Sequence, residues 1–316
     1  NTIVAKPSEL PPLTANLLAQ TMQTVGLPSG VFNVVHGYGP DVGQAIVEHD
    51  DIRGISFTGG TATGKIVAAT AAPMFKKLSL ELGGKNATVL LDDAPLDEIM
   101  QGVVRASFTN SGQVCLCGSR ILVHASIYDD FLEKFVHAVE RIQVGDPSNE
   151  ATVMGSVISQ DHKTKVESYI QLGVEEGGVV LTGGLSKTAP VENVSKHGAF
   201  LRPTVLAGLP ATSRTATEEI FGPVVTVHAF ETEDEAVEMA NGTPYGLAGS
   251  VWTADIERGH RFAERMDTGI VWVNTWLNRD LRTPFGGVKQ SGVGREGGAW
   301  SLNFFSELTN ICVQQP

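Results

Sequence analysis

Ile55-Ser56-Phe57-Thr58-Gly59-Gly60-Thr61-Ala62-Thr63-Gly64-Lys65 runs from an apolar strand through a glycine pair into a helix. Ile55 to Phe57 reads as a strand, Thr61 to Ala72 as a helix, and Lys77 to Glu81 as a strand again. The alternation extends backwards. Thr2 to Ala5 is a short apolar strand, Leu13 to Val25 a helix entered through Pro11-Pro12, and Val31 to Val35 a strand. Asp41 to His49 is a helix with an acidic N-cap candidate. It also extends forwards, with strands over Ala87 to Leu91, Ile121 to His124, Ser250 to Trp252 and Gly269 to Asn274. Helices are expected over Asp97 to Ser107, Ile127 to Ile142 and Asp234 to Ala240. This spacing predicts βαβ units, hence an α/β fold with a parallel sheet covered by helices on both faces. Gly286 to Gly298 holds six glycines in thirteen residues and must bend as a loop. Leu308 to Gln314 reads as a closing strand whose partner is not evident.

The 316 residues suffice for about two domains. Hydrophobic residues at 42% and charged residues at 18% are ordinary for a soluble globular protein. No apolar run approaches the ~18 residues that a membrane-spanning helix requires, and no leader peptide is visible. A net charge of -12 without a basic stripe argues against a nucleic-acid partner. Cys115, Cys117 and Cys312 are too few and odd in number for a disulfide framework, so reduced thiols and a cytoplasmic location are expected. The sequons at Asn86 and Asn193 carry no weight in that setting. Asn1 stands where a Met would begin a chain, directly before strand-like residues, which reads as a fragment or a processed product.

Three segments could carry chemistry. The first is the glycine turn already quoted. Gly59, Gly64 and Lys65 fit G-x-x-x-x-G-K, yet Ile66 stands where a phosphate-binding loop needs a hydroxyl to hold Mg²⁺. The other readings are a turn that admits a dinucleotide to the helix start, or a plain structural turn. The second is Lys77-Leu78-Ser79-Leu80-Glu81-Leu82-Gly83-Gly84-Lys85. Period two sets Glu81 opposite the leucines, at the end of a strand, where α/β sheets bind ligands. A partly buried carboxylate there can act as a base, although a lone strand-end Glu is more often only solvated. The third is Phe108-Thr109-Asn110-Ser111-Gly112-Gln113-Val114-Cys115, a small polar turn leading into a thiol. A thiolate is a nucleophile, while the commoner fate of a cysteine is to be buried and inert. Cys115-x-Cys117 lacks a second ligand pair, so no metal site is expected.

Together these residues resemble the aldehyde dehydrogenase superfamily along essentially the whole chain. Lys6-Pro7-Ser8-Glu9, Ser56-Phe57-Thr58-Gly59, Glu81-Leu82-Gly83-Gly84-Lys85, Gly112-Gln113-Val114-Cys115, Glu218-Glu219-Ile220-Phe221-Gly222-Pro223 and Pro284-Phe285-Gly286-Gly287 occur in the family's order and at similar spacings. The resemblance implies a partial Rossmann-type cofactor domain over residues 1–84, an α/β catalytic domain over 85–289 and a C-terminal return segment with an oligomerisation strand over 290–316.

It also implies roles. Cys115 would attack an aldehyde, giving a thiohemiacetal that loses hydride to NAD⁺, and Glu81 would activate the water that hydrolyses the thioester. Lys6 and Glu9 would hold the adenosine ribose, and a carboxylate at Glu9 favours NAD over NADP. Phe57, Gly59, Gly60, Gly64 and Leu82 would neighbour the cofactor, and Glu219 and Phe221 would position its nicotinamide end. Gly60 departs from the serine that most relatives carry. Phe285 resembles a wall of the aldehyde tunnel. Cys115-Leu116-Cys117 and Asn278-Arg279-Asp280-Leu281-Arg282-Thr283-Pro284-Phe285 look like the 2-aminomuconic and 2-hydroxymuconic semialdehyde dehydrogenases. Arg279, and second Arg282, would bind the substrate carboxylate; the plain alternative is a surface ion pair of little weight.

Members of the family carry a further N-terminal section, with an Asn that helps to stabilise the oxyanion and part of the oligomerisation sheet. The expected partners are a small aldehyde and further copies of the chain, as a dimer or tetramer. Two alternatives stand beside an active oxidoreductase: a silent relative that assembles with longer subunits, and a phosphate-binding-loop NTPase.

Overall fold

In the computed structural model, which describes every residue except Lys196 and Pro316, the chain divides into two units. The first comprises Asn1–Leu80, Leu281–Pro284 and Val293–Pro316. The second comprises Glu81–Asp280 and Phe285–Gly292.

In the first unit β1 (Ile3–Ala5) pairs in parallel with β2 (Phe32–Val34), and α1 (Leu13–Thr24) connects them. A parallel pair needs such a crossover, because a tight turn can only reverse the chain. A π-helical turn over Gly39–Gly43 then leads into α2 (Gln44–Glu48), so Asp41 lies inside the turn instead of capping a helix. β3 (Gly54–Thr58) runs into α3 (Thr61–Ala71), and β4 (Lys77–Glu81) is hydrogen-bonded beside β3.

The second unit is built on a seven-stranded sheet. Its elements in chain order are β5 (Ala87–Leu90), α4 (Leu96–Phe108), β6 (Arg120–His124), α5 (Tyr128–Glu140), α6 (Gln160–Glu175), β7 (Val179–Thr182), β8 (Thr204–Ala207), α7 (Arg214–Thr217), β9 (Val224–Phe230), α8 (Glu233–Asn241), β10 (Tyr245–Gly246), β11 (Ala248–Trp252), α9 (Ile256–Ala263), β12 (Ile270–Val273) and β13 (Val288–Lys289). The sheet order is β12-β11-β5-β6-β9-β8-β7, parallel throughout except for β7 at the edge. β5, β6 and β8 read as nearly unbroken apolar runs, and all four residues of β5 are buried. Strands covered on both faces have no solvent side to alternate towards.

One core lies under α4 and α5. Leu96, Ile99, Met100 and Val103 recur at helical spacing on α4, and Phe131 stacks on Phe135 at 5.1 Å on α5. A second core beneath α8 and α9 holds Val89, Leu122, Phe230 and Phe262. α4 begins with Asp97 and Glu98 and ends with Arg105, charges that suit the helix dipole at each end.

The expected βαβ alternation and parallel sheet are present. Leu308 to Gln314 forms no strand: Leu308 is 99% exposed, Ile311 81% and Val313 80%, and a strand requires a partner edge to satisfy its backbone. Within the glycine-rich stretch, β13 pairs antiparallel with β10. No helix among the described residues is long and apolar enough to cross a membrane.

Candidate active site

Glu81 is the last residue of β4 and the first of the second unit; it is 4% exposed. The two glycines after it let the chain turn towards β5. Gly84 is needed for proximity, since a Cβ there would stand 2.8 Å from the carbonyl oxygen of Cys115. Leu82 is fixed by its N–H, which donates to the Ser291 carbonyl at 2.9 Å, while the Ser291 hydroxyl donates to the Gly83 carbonyl at 2.6 Å.

Cys115 follows a turn of unusual backbone. Asn110, Ser111 and Gly112 all have positive φ, at 52°, 58° and 70°. Gly112 tolerates no side chain, because a Cβ would meet the Gly222 carbonyl oxygen at 2.1 Å. The turn is pinned from outside: Ser111 donates to the Gly155 carbonyl at 3.0 Å, and Gln113 accepts from the Ile158 N–H at 2.9 Å. Asn86, 4% exposed at the start of β5, donates to the carbonyls of Cys115 at 2.7 Å and Cys117 at 2.9 Å, and accepts from the Ala248 N–H at 3.0 Å. The segment after Glu81 and the segment bearing the thiol are therefore tied by one buried amide.

The thiol is part-buried and lines a common pocket with Gly84, Glu219 and Phe221. Burial pushes the Cys115 thiol up to about 11, and the negative charges of Glu81 and Glu219 push the same way. A backbone hydrogen bond and the Arg279 charge oppose them. Two carboxylates and one guanidinium thus act on a single sulfur. At neutral pH it rests as a thiol and needs a base to become nucleophilic. Cys117 is buried deeper and pushed up to about 12, mainly by burial, and it donates weakly to the Thr109 carbonyl. Its place is in the core.

Glu219 accepts from the Gly84 N–H at 2.8 Å, and burial holds its carboxyl above the usual range. Phe221 is 38% exposed with φ of 60°, a left-handed conformation that costs a bulky residue energy. The Arg279 guanidinium lies 3.9 Å over the Phe285 ring, and Arg105 lies 5.8 Å over Trp276. The Trp276 indole donates to the Leu116 carbonyl, one residue from the thiol, at 2.9 Å.

The residues on the first unit form a separate set. Lys6 donates to the carbonyls of Pro7 at 2.8 Å and Gly37 at 3.0 Å and pairs with Glu9 at 3.4 Å. Glu9 is held below the usual carboxylate range, first by a backbone hydrogen bond and then by Lys6. Gly59 lies against the Phe57 ring, where a Cβ would approach to 2.5 Å, whereas Gly60 has open space beside it. Gly60 caps α3 without a side-chain bond, and Gly64 is buried within the helix. A phosphate-binding loop keeps the residues between its glycines in a cradle. Here Thr61 to Thr63 are already helical and Lys65 is exposed, which removes that alternative. Arg282 belongs to this unit, whereas Arg279 and Phe285 belong to the second.

Sequence reasoning missed Asn86, Ser291, Arg120 and Lys85. Arg120 is 2% exposed and donates to the carbonyls of Lys85, Met239 and Ala240 at 2.9, 2.7 and 2.8 Å. Lys85 is 2% exposed, and its ammonium has no hydrogen-bond partner among the described residues. Burial and then the Arg120 charge push it down to about 7, against the pull of Glu219 and Glu218. A basic group depressed by folding binds its proton less readily in the native state than in the unfolded one. Stability should therefore rise as pH climbs from about 7 towards 10.5. Lys85→Met is expected to raise the thermal midpoint most at or below pH 7, with the gain fading by pH 10.5; unfolding scans across that range check it.

The sequence profile described as the aldehyde dehydrogenase family matches residues 1–311. Over 315 residues the chain is 48% identical to 2-hydroxymuconic semialdehyde dehydrogenase of Pseudomonas sp. strain CF600, covering 99% of this chain and 64% of that one. It is 46% identical to human 2-aminomuconic semialdehyde dehydrogenase, with the same 99% and 64% coverage. Among solved structures it matches betaine aldehyde dehydrogenase from Staphylococcus aureus in complex with NAD⁺, with a TM-score of 0.90 and 38% identity, covering 99% of this chain and 64% of that one. The chain thus spans a little under two thirds of the relatives it matches.

Proposed function

Because the chain belongs to the aldehyde dehydrogenase family, we propose that it oxidises a carboxylate-bearing semialdehyde, such as 2-aminomuconic semialdehyde, to the acid with NAD⁺ as oxidant. The observation that carries this reading is the pinned loop that holds Cys115 within electrostatic reach of Glu81 and Glu219.

The chemistry follows from that arrangement. Glu81 takes the proton from the Cys115 thiol, and the sulfur bonds to the carbonyl carbon, leaving the negative charge on oxygen. NAD⁺ held by Glu219 and Phe221 at its nicotinamide end would supply the two-electron oxidant, taking the hydride from that carbon. The product on Cys115 is a thioester. Once Glu81 has passed the thiol proton to solvent, its carboxylate removes a proton from water as the oxygen adds to the acyl carbon; the C–S bond breaks, the thiolate leaves and takes that proton back, and the acid departs.

In the first unit the residues suit the adenosine and phosphate part of a dinucleotide. Lys6 is held by carbonyls, and the ionised Glu9 suits free ribose hydroxyls and repels a 2′-phosphate. Gly60 leaves the start of α3 open for phosphate oxygens, with Gly59 packed on the Phe57 ring and Gly64 buried in the helix. In the second unit Glu219, Phe221 and Leu82 suit the nicotinamide end.

Arg279 binds the substrate carboxylate, held flat by Phe285 so that its N–H edge can meet two oxygens, with Arg282 the second candidate. In an assay of this chain beside a form restored to the relatives' full length, Arg279→Leu is expected to raise KM for a carboxylated semialdehyde by roughly 10- to 100-fold. An uncharged aldehyde of similar length should be little affected. An equal loss on both substrates would reject the carboxylate role, and no turnover of any aldehyde by the restored form would reject the function.

A second reading, a silent chain that assembles with longer subunits, is favoured by the exposed apolar residues Leu308, Ile311 and Val313. Sedimentation of the chain with and without residues 308–313 tests it.

A further inference from the structure

Phe221 is the anomaly that the proposed chemistry leaves unexplained. Its φ of 60° puts a large aromatic residue in a backbone region that favours glycine, so the surroundings must over-determine it. The surroundings are supplied by one face of α6. His162, Lys165, Val166 and Tyr169 are spaced i, i+3, i+4 and i+7, and each meets a different residue of the Glu218–Gly222 turn. The His162 Nε2–H donates to the Phe221 carbonyl at 2.7 Å, and the two rings meet edge to face at 6.3 Å. Because a carbonyl only accepts, the proton must sit on that nitrogen. Lys165 donates to the Glu219 carbonyl at 3.4 Å, and the Tyr169 hydroxyl donates to the Glu218 carboxylate at 2.7 Å. Val166 packs so tightly under Gly222 that a Cβ there would stand 2.5 Å from its methyl group. The helix end that presents His162 is itself fixed, since the Ser159 hydroxyl accepts from the His162 N–H at 3.1 Å.

We propose that His162 is a positioning residue: its bond to the Phe221 carbonyl holds the left-handed turn that presents Glu219 and Phe221 to the cofactor. Of the four contacts it is the one made directly to the strained residue. The inference rests on the reading of Glu219 and Phe221 as nicotinamide-end residues, and the test separates the two.

The probes are amide hydrogen exchange over residues 218–224 and calorimetric titration with NAD⁺. They are applied to the chain as it stands and to His162→Leu and His162→Gln. His162→Leu keeps bulk but cannot donate; glutamine can. Exchange at Phe221 and Gly222 is expected to accelerate about tenfold in His162→Leu, the scale of one lost hydrogen bond, and NAD⁺ affinity to fall by about the same factor. His162→Gln should recover most of both, while the thermal midpoint stays nearly unchanged because the side chain is only partly buried. Unchanged exchange in His162→Leu overturns the inference. Faster exchange with unaltered NAD⁺ affinity also overturns it, leaving the cofactor reading intact. A parent chain that binds no NAD⁺ removes the cofactor reading and the inference together. A glutamine variant as impaired as the leucine one overturns the hydrogen bond as the cause.

Discussion

Cys115→Ala is expected to abolish NADH formation, lowering kcat by at least about 10⁴-fold, because the covalent route disappears whole instead of weakening. The loss should come without unfolding. Cys115 is only part-buried, and its loop is held by Asn86, Ser111 and Gln113 through bonds that do not use the sulfur. Removing one part-buried atom of this size costs about 1 kcal/mol or less of stability. The checks are initial rates of NADH absorbance with a semialdehyde and a thermal scan of the same preparation. Cys117→Ala is the control. Its sulfur sits in the core and donates to the Thr109 carbonyl, so its loss should lower the thermal midpoint while leaving catalysis largely in place.

Glu81→Gln is the second large effect, and its signature differs. Glutamine preserves the shape of a side chain that is 4% exposed but can no longer take a proton. Steady turnover should fall by about 10²- to 10⁴-fold, the usual contribution of a positioned base. Thiolate formation and thioester hydrolysis both use that base, so the two steps must be separated. At high pH the thiol ionises without help, and a burst of NADH up to one equivalent should then precede the slow phase. Mass spectrometry of the quenched enzyme should find the acyl group on the Cys115 peptide. An alanine at the same place would leave a hole beside β4, which makes glutamine the cleaner variant.

Much of this is legible in the amino-acid sequence alone. The period-two pattern of Lys77 to Glu81 set Glu81 opposite the leucines at a strand end, and the polar turn before Cys115 foretold a thiol on a bend. Strongly periodic segments such as α4 and α5 also followed from spacing, because an amphipathic face is written locally. What escaped was long-range. Asn86 looks like any polar residue after a glycine pair. Its importance comes from carbonyls 29 and 31 residues away, which no local pattern encodes. Lys85 reads as a surface lysine until burial and the neighbouring Arg120 are known. Helix α6 was not anticipated at all. Its buried residues are Val166, Ile170 and Gly173, a face too sparse to stand out against Gln160, Asp161, His162 and Lys163. Leu308 to Gln314 shows the opposite failure, since an apolar run with strand-like composition takes no strand form without an edge to pair with.

The central claim is that one sulfur and one carboxylate, 34 residues apart in sequence, serve a single carbonyl. Iodoacetamide labelling of the Cys115 peptide, followed from pH 7 to 11 in the parent chain and in Glu81→Gln, tests it without substrate or cofactor. In the parent the rate should climb about tenfold per pH unit and level only near 11, because burial and the charge of Glu81 hold the thiol protonated. Alkylation reports only the resting thiolate fraction, so removing that charge should shift the whole curve to lower pH and the variant should label faster at pH 8, even though its turnover lacks the base. Superimposable curves would mean that Glu81 does not act on Cys115, and the account would fail at its base.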